Sequence, residues 1–214
     1  MTAAVIFDCD GVLVDTELIS NTVLAALLTE AGLPTTLEES LRDYRGRSME
    51  SVMTLAEQRH GGPLPEDIAE RYYADVKTAF TRDGQPVPGI VEALERIALP
   101  SCVASSGPHH KMEVTLRRAG LWERFAGRIF SATEVAHGKP APDLFLHAAH
   151  AMGFDPASTA VVEDSVPGVQ AARAAGMRAL AFARDTDAEI LAAAGGEPFH
   201  DMAQLPGLLA GDGA

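Results

Sequence analysis

Ala3-Ala4-Val5-Ile6-Phe7-Asp8-Cys9-Asp10-Gly11-Val12-Leu13-Val14-Asp15 is a short apolar run that ends in two carboxylates separated by one residue. The run from Ala3 to Phe7 is long enough for one buried strand and too short for a helix or a secretion signal. Open parallel sheets collect ligands at the carboxyl ends of their strands, so Asp8 and Asp10 are candidate functional groups. Two carboxylates this close to an apolar strand resist joint ionisation unless a cation neutralises them, and hard oxygen ligands suit Mg²⁺. Gly11 permits a turn directly after the pair, which frees Asp10 from strand alternation and lets the two carboxylates take different roles.

The chain has 214 residues, 47% of them hydrophobic, which is enough for a full core in one or two domains. Thirty acidic side chains against seventeen basic ones give a net charge of −13, which disfavours nucleic acid, anionic membranes and other polyanions as partners. A small anionic ligand would need a locally positive site, so the few lysines and arginines near the carboxylates matter more than the total. No obligate protein partner is evident. No stretch approaches the roughly 20 apolar residues that span a bilayer, and the N-terminus lacks a basic region followed by an apolar one, so a cytoplasmic protein is expected. Cys9 and Cys102 both sit in apolar, strand-like segments without metal-ligand spacing and read as buried thiols.

The organisation of the chain changes twice. From Thr16 to about Arg82 the pattern is helical: Leu18, Ile19, Val23, Leu24, Leu27, Leu28 and Ala31 recur at helical spacing until Gly32 and Pro34. Further helices are expected over 37–44, 48–60 and 65–80. Beyond the breaks at 83–86 and 88–89, strands at 101–104, 128–131, 160–162 and 179–181 alternate with helices at 108–119, 142–152 and 166–175. Such alternation predicts an α/β fold, a Rossmann-like doubly wound parallel sheet with helices on both faces. Residues 1–15 and 83–214 would form this core, and residues 16–82 an inserted helical cap domain.

Three further segments fall at the ends of expected strands. In Val103-Ala104-Ser105-Ser106-Gly107-Pro108 a strand runs into a helix start, where free N–H groups, the helix dipole and the Ser105 hydroxyl suit phosphate. In Gly138-Lys139-Pro140-Ala141-Pro142-Asp143 a lysine occupies a stiff loop before a helix, and in Val162-Glu163-Asp164-Ser165 a buried strand ends in an acidic pair. Taken singly, each has an ordinary explanation: an N-cap, a solvated charge, and acidic residues favoured at a helix start. Their joint occurrence, each at a strand end, is the signal.

The segments Phe7 to Asp15, Val103 to Gly107, Lys139-Pro140 and Val162 to Gly168 resemble the four motifs of the haloacid dehalogenase superfamily. The helical insert after the first motif is similar to the cap of the subgroup containing phosphoglycolate phosphatase and β-phosphoglucomutase. Phe7 to Gly11, Ser106-Gly107-Pro108, Lys111-Met112 and Leu144 to Ala149 resemble the branch of 6-phosphogluconate phosphatase-like sugar phosphatases. The resemblance implies a Mg²⁺-dependent phosphatase acting on a small phosphorylated metabolite. Asp8 would be the nucleophile that forms an aspartyl-phosphate, Asp10 the general acid and base, and Ser105 and Lys139 the groups that hold and neutralise the phosphoryl group. The metal would rest on Asp8, the backbone carbonyl of Asp10, and Asp164, with Glu163 either a further ligand or a supporting partner. Substrate would be read by Ser106 and Gly107, by Arg45, Gly46 and Arg47 of a cap loop, and by Lys111.

Four other activities compete. A sugar phosphomutase would use the same core, but the mutases of this subgroup carry a histidine after the first hinge and an arginine after the cap-loop serine, where this chain has Leu18-Ile19 and Met49. A dehalogenase needs neither a second aspartate nor Mg²⁺. A phospho-receiver signalling module shares the aspartyl-phosphate chemistry but is shorter and has no cap. A catalytically silent binding protein would have no reason to keep every candidate catalytic group.

Overall fold

The computed structural model describes residues 1–44 and 49–211. The chain divides into two compact units, residues 1–15 with 85–214, and residues 16–84.

The first unit is built on a six-stranded sheet in the order β3-β2-β1-β4-β5-β6, parallel throughout. The strands are β1 (Ala4–Phe7), β2 (Ser101–Ser105), β3 (Ile129–Ser131), β4 (Thr159–Glu163), β5 (Arg178–Phe182) and β6 (Glu197–Phe199). Side chains alternate across the sheet, as a period of two requires. Val5, Phe7, Val103, Val162, Leu180 and Phe182 join one buried cluster, and Ile6, Cys102, Ala104, Val161, Ala179 and Ala181 join another. The first cluster is closed by α5 (Ile90–Arg96), α6 (His109–Arg118), α7 (Trp122–Phe125) and α11 (Leu205–Ala210), and the second by α8 (Asp143–Met152), α9 (Val166–Ala174) and α10 (Ala188–Ala193). This is the doubly wound α/β fold expected from the alternation. Cys9 and Cys102 are both free and buried, in different clusters.

The register decides which residues can meet. Phe7 stands opposite Val103 of β2 and Val162 of β4, so Asp8 emerges between the ends of those two strands. Strand order reverses at β1, whose neighbours β2 and β4 lead to opposite edges, and the carboxyl side of such a switch point is where ligands bind.

The second unit consists of α1 (Thr16–Glu30), α2 (Leu37–Asp43), α3 (Met49–His60) and α4 (Ile68–Asp83). Thr36 caps α2 through a reciprocal pairing with Glu39, and Ser40 donates to Asn21 at 2.9 Å to tie α2 to α1. Leu24, Leu28, Leu33, Val52, Ala56, Leu64 and Ile68 form its main apolar cluster. Among the described residues no helix is long and apolar enough to cross a membrane.

Four core helices and one strand go beyond the sequence expectation. Helices α5, α7, α10 and α11 span only four to seven residues, too few for a periodic pattern to emerge. Strand β6 has three residues and contains Pro198, which an edge strand tolerates.

Gly196, just before β6, is a packing constraint: a Cβ there would lie 2.7 Å from that of Ala181 and 3.1 Å from the Leu191 carbonyl oxygen. Gly196→Ala is expected to cost about 1–3 kcal/mol, the usual range for overpacking, whereas Gly207→Ala, with nothing within 4 Å, should be tolerated. Thermal denaturation of the two variants side by side checks this contrast.

Candidate active site

Asp8 follows the last residue of β1 and is 6% exposed. Its N–H donates to the Val162 carbonyl at 2.9 Å, so the β1–β4 ladder fixes its backbone. Lys139 arrives from the loop before α8, across a cis Lys139–Pro140 peptide. Its Nζ lies 2.5 Å from Asp8 Oδ1, 2.7 Å from Glu163 Oε1 and 3.4 Å from the Ala104 carbonyl oxygen, with the Phe145 ring centroid at 4.9 Å. Burial alone would favour a neutral amine, but Asp8 and Glu163 outweigh it and hold the lysine pKa above its ordinary value. Asp8 is pushed up to about 7 by burial, opposed by Lys139 and reinforced by Glu163 and Asp10.

Glu163 closes β4 and is 1% exposed. Its second oxygen accepts from the N–H groups of Asp164 and Ser165 at 2.9 and 2.8 Å and from the Ser165 hydroxyl at 2.8 Å. Ser165 also caps α9 by accepting from Gly168 N–H at 3.2 Å. A Cβ on Gly168 would fall 1.8 Å from the Glu163 carboxyl carbon, so glycine is required for the carboxylate to occupy this place. Both Glu163 oxygens are thus taken by protein donors. Glu163 thereby organises Lys139 and the Asp164–Ser165 turn. Asp164 lies against Gly11, where a Cβ would stand 2.0 Å from Asp164 Oδ2, and Gly11 has φ of 80°. Burial raises the Asp164 carboxyl well above its usual range, with Glu163 and Asp8 adding to the effect.

Ser105 ends β2 and is 1% exposed. Its Oγ accepts from Gly107 N–H at 3.2 Å, which leaves its own proton available to donate. Ser131, at the end of β3, donates to the Gly107 carbonyl at 2.8 Å, so the Ser106-Gly107 turn is pinned from two strands. Helix α6 begins at His109, just beyond it. Lys111 sits in the first turn of α6, and its Nζ reaches Asp10 Oδ2 at 2.6 Å. The other Asp10 oxygen, Oδ1, is buried with no hydrogen-bond partner.

Of the residues picked out by sequence, Asp8, Lys139, Glu163 and Asp164 form one electrostatic cluster; Asp10 acts on Asp8 from beside it and pairs with Lys111. His109 is engaged by Glu134 at 2.6 Å. Arg45, Gly46 and Arg47 lie outside the described residues. Among the described residues no three His, Cys, Asp or Glu side chains converge as a ligand set.

Sequence reasoning passed over Arg184 and Asp185. Arg184 donates to both oxygens of Asp15 at 3.0 and 2.8 Å and to Asp185 at 3.0 and 2.8 Å. Asp15 N–H donates to Gln85 O at 2.9 Å and Val87 N–H to Leu13 O at 3.0 Å, so this ion cluster fastens the points where the chain leaves and re-enters the first unit. The signal was present: the charged pair Arg184-Asp185 lies one residue beyond the end of β5.

A family model described as haloacid dehalogenase-like hydrolase matches residues 2–176, and the chain belongs to that family. The enzyme class read from the motifs, phosphoric monoester hydrolase, agrees with the phosphatases among its relatives. The 6-phosphogluconate phosphatase of Escherichia coli K12 is 32% identical over 206 residues, covering 96% of this chain and 93% of its own length. Hexitol phosphatase B of the same organism is 30% identical over 182 residues, covering 83% and 82%. Among solved structures, a family hydrolase of Deinococcus radiodurans with bound phosphate and sodium aligns with a TM-score of 0.83 at 30% identity, covering 99% of this chain and 96% of that one.

Lys139→Met would leave Asp8 and Glu163 buried without the cation they share. Removing one partner of a buried ion cluster typically costs about 3–5 kcal/mol. A clear fall in melting temperature at pH 8 is expected, and an unchanged one would contradict the neutralising role of Lys139.

Proposed function

We propose that the enzyme hydrolyses the phosphate monoester of a small sugar-like metabolite with Mg²⁺, through a phosphoryl intermediate on Asp8. The observation that carries this reading is the strand-end cluster in which Lys139 joins Asp8 to Glu163, while the pinned Ser105–Gly107 turn ends the neighbouring strand.

The first step needs a carboxylate to approach a dianion. Two unit like charges 4 Å apart cost about 1 kcal/mol in water and about 4 kcal/mol at an effective dielectric of 20, and a dianion roughly doubles this. Lys139 offsets part of that repulsion beside Asp8, and the Ser105 hydroxyl and adjacent N–H groups hold the phosphoryl group in line. An oxygen of Asp8 bonds to phosphorus as the bond to the ester oxygen breaks, and Asp10 gives its proton to that oxygen, so the alcohol leaves neutral. Asp10, now ionised, then takes a proton from water as the water oxygen attacks phosphorus and the Asp8 oxygen departs. Phosphate is released, Asp8 is regenerated and Asp10 is protonated again.

The residues present fit a magnesium ion. Asp8 and Asp164 are buried carboxylates with raised pKa values, so they favour a cation between them, and the missing Cβ of Gly11 leaves room for Asp164. Two carboxylates and the Asp10 carbonyl form a hard oxygen set of the kind Mg²⁺ takes, with water and phosphate oxygens filling the rest. When bound, the ion supplies charge neutralisation at the transferring phosphoryl group.

The helical unit, residues 16–84, serves in this reading as the substrate-selecting cap, through Arg45, Gly46 and Arg47. A guanidinium matches a carboxylate or second phosphate in two-point fashion. The 6-phosphogluconate phosphatase named above has a substrate of that chemistry, and the absence of the mutase histidine and arginine at Leu18-Ile19 and Met49 favours hydrolysis.

A panel of 6-phosphogluconate, hexose phosphates, hexitol phosphates and phosphoglycolate, assayed with Mg²⁺ for free phosphate and for isomerised product, tests this function. Phosphate release led by an anionic sugar phosphate is expected; isomerised hexose phosphate with little release would make it a mutase. Chelation by EDTA should abolish turnover and added Mg²⁺ should restore it. Asp8→Asn should lower kcat by at least about a thousandfold with the fold intact, as loss of a nucleophile does. Arg45→Ala should raise KM for the anionic sugar phosphate far more than for p-nitrophenyl phosphate; equal effects would remove the specificity role.

A further inference from the structure

Each aspartate of the Asp8-Cys9-Asp10 pair is met by a lysine of its own. Lys139 serves Asp8 from the buried side, its side chain only 5% exposed, whereas Lys111 meets Asp10 at 2.6 Å with 28% of its side chain exposed. Lys111 is itself held in place. Its N–H donates to the Pro108 carbonyl at 3.0 Å, and its carbonyl accepts from the Thr115 hydroxyl at 3.0 Å. Its stem crosses Gly107, with Cδ 3.4 Å from where a Cβ on that glycine would stand.

The two Asp10 oxygens are thereby made unequal. Oδ2 is bound to Lys111, and Oδ1 is buried with no hydrogen-bond partner. The terminal torsion of an aspartate is broad, so the carboxylate needs an external restraint to keep one oxygen in a fixed direction. A buried carboxylate oxygen that no protein donor meets is costly, so Oδ1 is left to a group from outside the chain's own donors.

We infer that Lys111 is a positioning residue for proton transfer: by holding Oδ2 it reserves Oδ1 of Asp10 for the ester oxygen and then for the attacking water. This role rests on the phosphatase reading above, and it replaces the expectation that Lys111 binds substrate. Its physical content is a coupling. The same turn and first helical turn that present Ser105 and Gly107 to the phosphoryl group also carry the residue that aims the acid, so phosphate placement and proton delivery share one rigid support.

The test compares Lys111→Met and Lys111→Arg with the unmodified enzyme, using an alkyl phosphate and p-nitrophenyl phosphate. The second needs no proton on its leaving oxygen. Lys111→Met should lower kcat/KM for the alkyl phosphate by about 30-fold or more, within the range of general acid catalysis, and that for p-nitrophenyl phosphate by less than about threefold. Lys111→Arg should recover part of the loss. In an Asp10→Asn background, Lys111→Met should change the alkyl phosphate rate less than about threefold, because the residue acts through Asp10. Equal losses on both substrates, or a loss that persists in the Asp10→Asn background, would make Lys111 a substrate-binding group and overturn the inference. A crystal structure of Lys111→Met gives a readout apart from turnover: an unmoved Asp10 carboxylate would overturn the inference as well. If the unmodified enzyme turned over neither substrate with Mg²⁺, the phosphatase reading would fail, and the Asp10 orientation in that crystal would still decide the positioning.

Discussion

The ε-ammonium of Lys139 touches the ends of three adjacent strands: Asp8 after β1, the Ala104 carbonyl in β2, and Glu163 at the end of β4. Its placement follows from register, since Phe7 pairs with both Val103 and Val162 and brings Asp8 and Glu163 side by side in the middle of the sheet. Burial pushes Asp8 toward its neutral form, and the two carboxylates keep the buried lysine charged. The arrangement fixes the positions of its neighbours. Glu163 organises the Asp164–Ser165 turn, Gly168 and Gly11 give up their side chains to make room, and the loop carrying Lys139 has to cross from β3 to reach the central strands.

Much of this was legible in the sequence because the informative residues lie at changes of pattern. An apolar run that stops at Asp8, another that stops at Ser105 and a third that stops at Glu163-Asp164 mark strand ends, and the strand-end rule supplies the rest. The lysine was legible only by its company, since nothing local distinguishes Lys139 from a solvated charge. The role of Glu163 was left open between metal ligand and supporting partner, because a carboxylate at a strand end looks the same whether it faces a metal or accepts from Ser165 and two backbone N–H groups. Arg184 and Asp185 were passed over, although they lie one residue past the end of a strand. The partners of Arg184, Asp15 and Asp185, are respectively 169 residues away and next door, and no one-dimensional pattern pairs the first. Short elements such as β6 and α11 are set by tertiary packing and carry almost no periodicity of their own.

The site also resolves a tension in the composition. A chain with net charge −13 should repel phosphate esters, yet charges farther away than the Debye length of about 8 Å are largely screened at physiological salt. What a phosphoryl group meets is the local balance. Asp8, Asp10, Glu163 and Asp164 bring four carboxylates against the two ammoniums of Lys139 and Lys111. Fully ionised, these groups carry a deficit of two charges, which one divalent cation would cancel. Without such a cation, protonation is the alternative, and the raised pKa values of Asp8 and Asp164 express that strain. The same carboxylates that repel a phosphate dianion are thus those that a divalent cation would neutralise. In this scheme Lys139 compensates the nucleophile permanently from within the core. Lys111, nearer solvent, leaves one oxygen of Asp10 unpartnered for the proton that must move twice in each turnover.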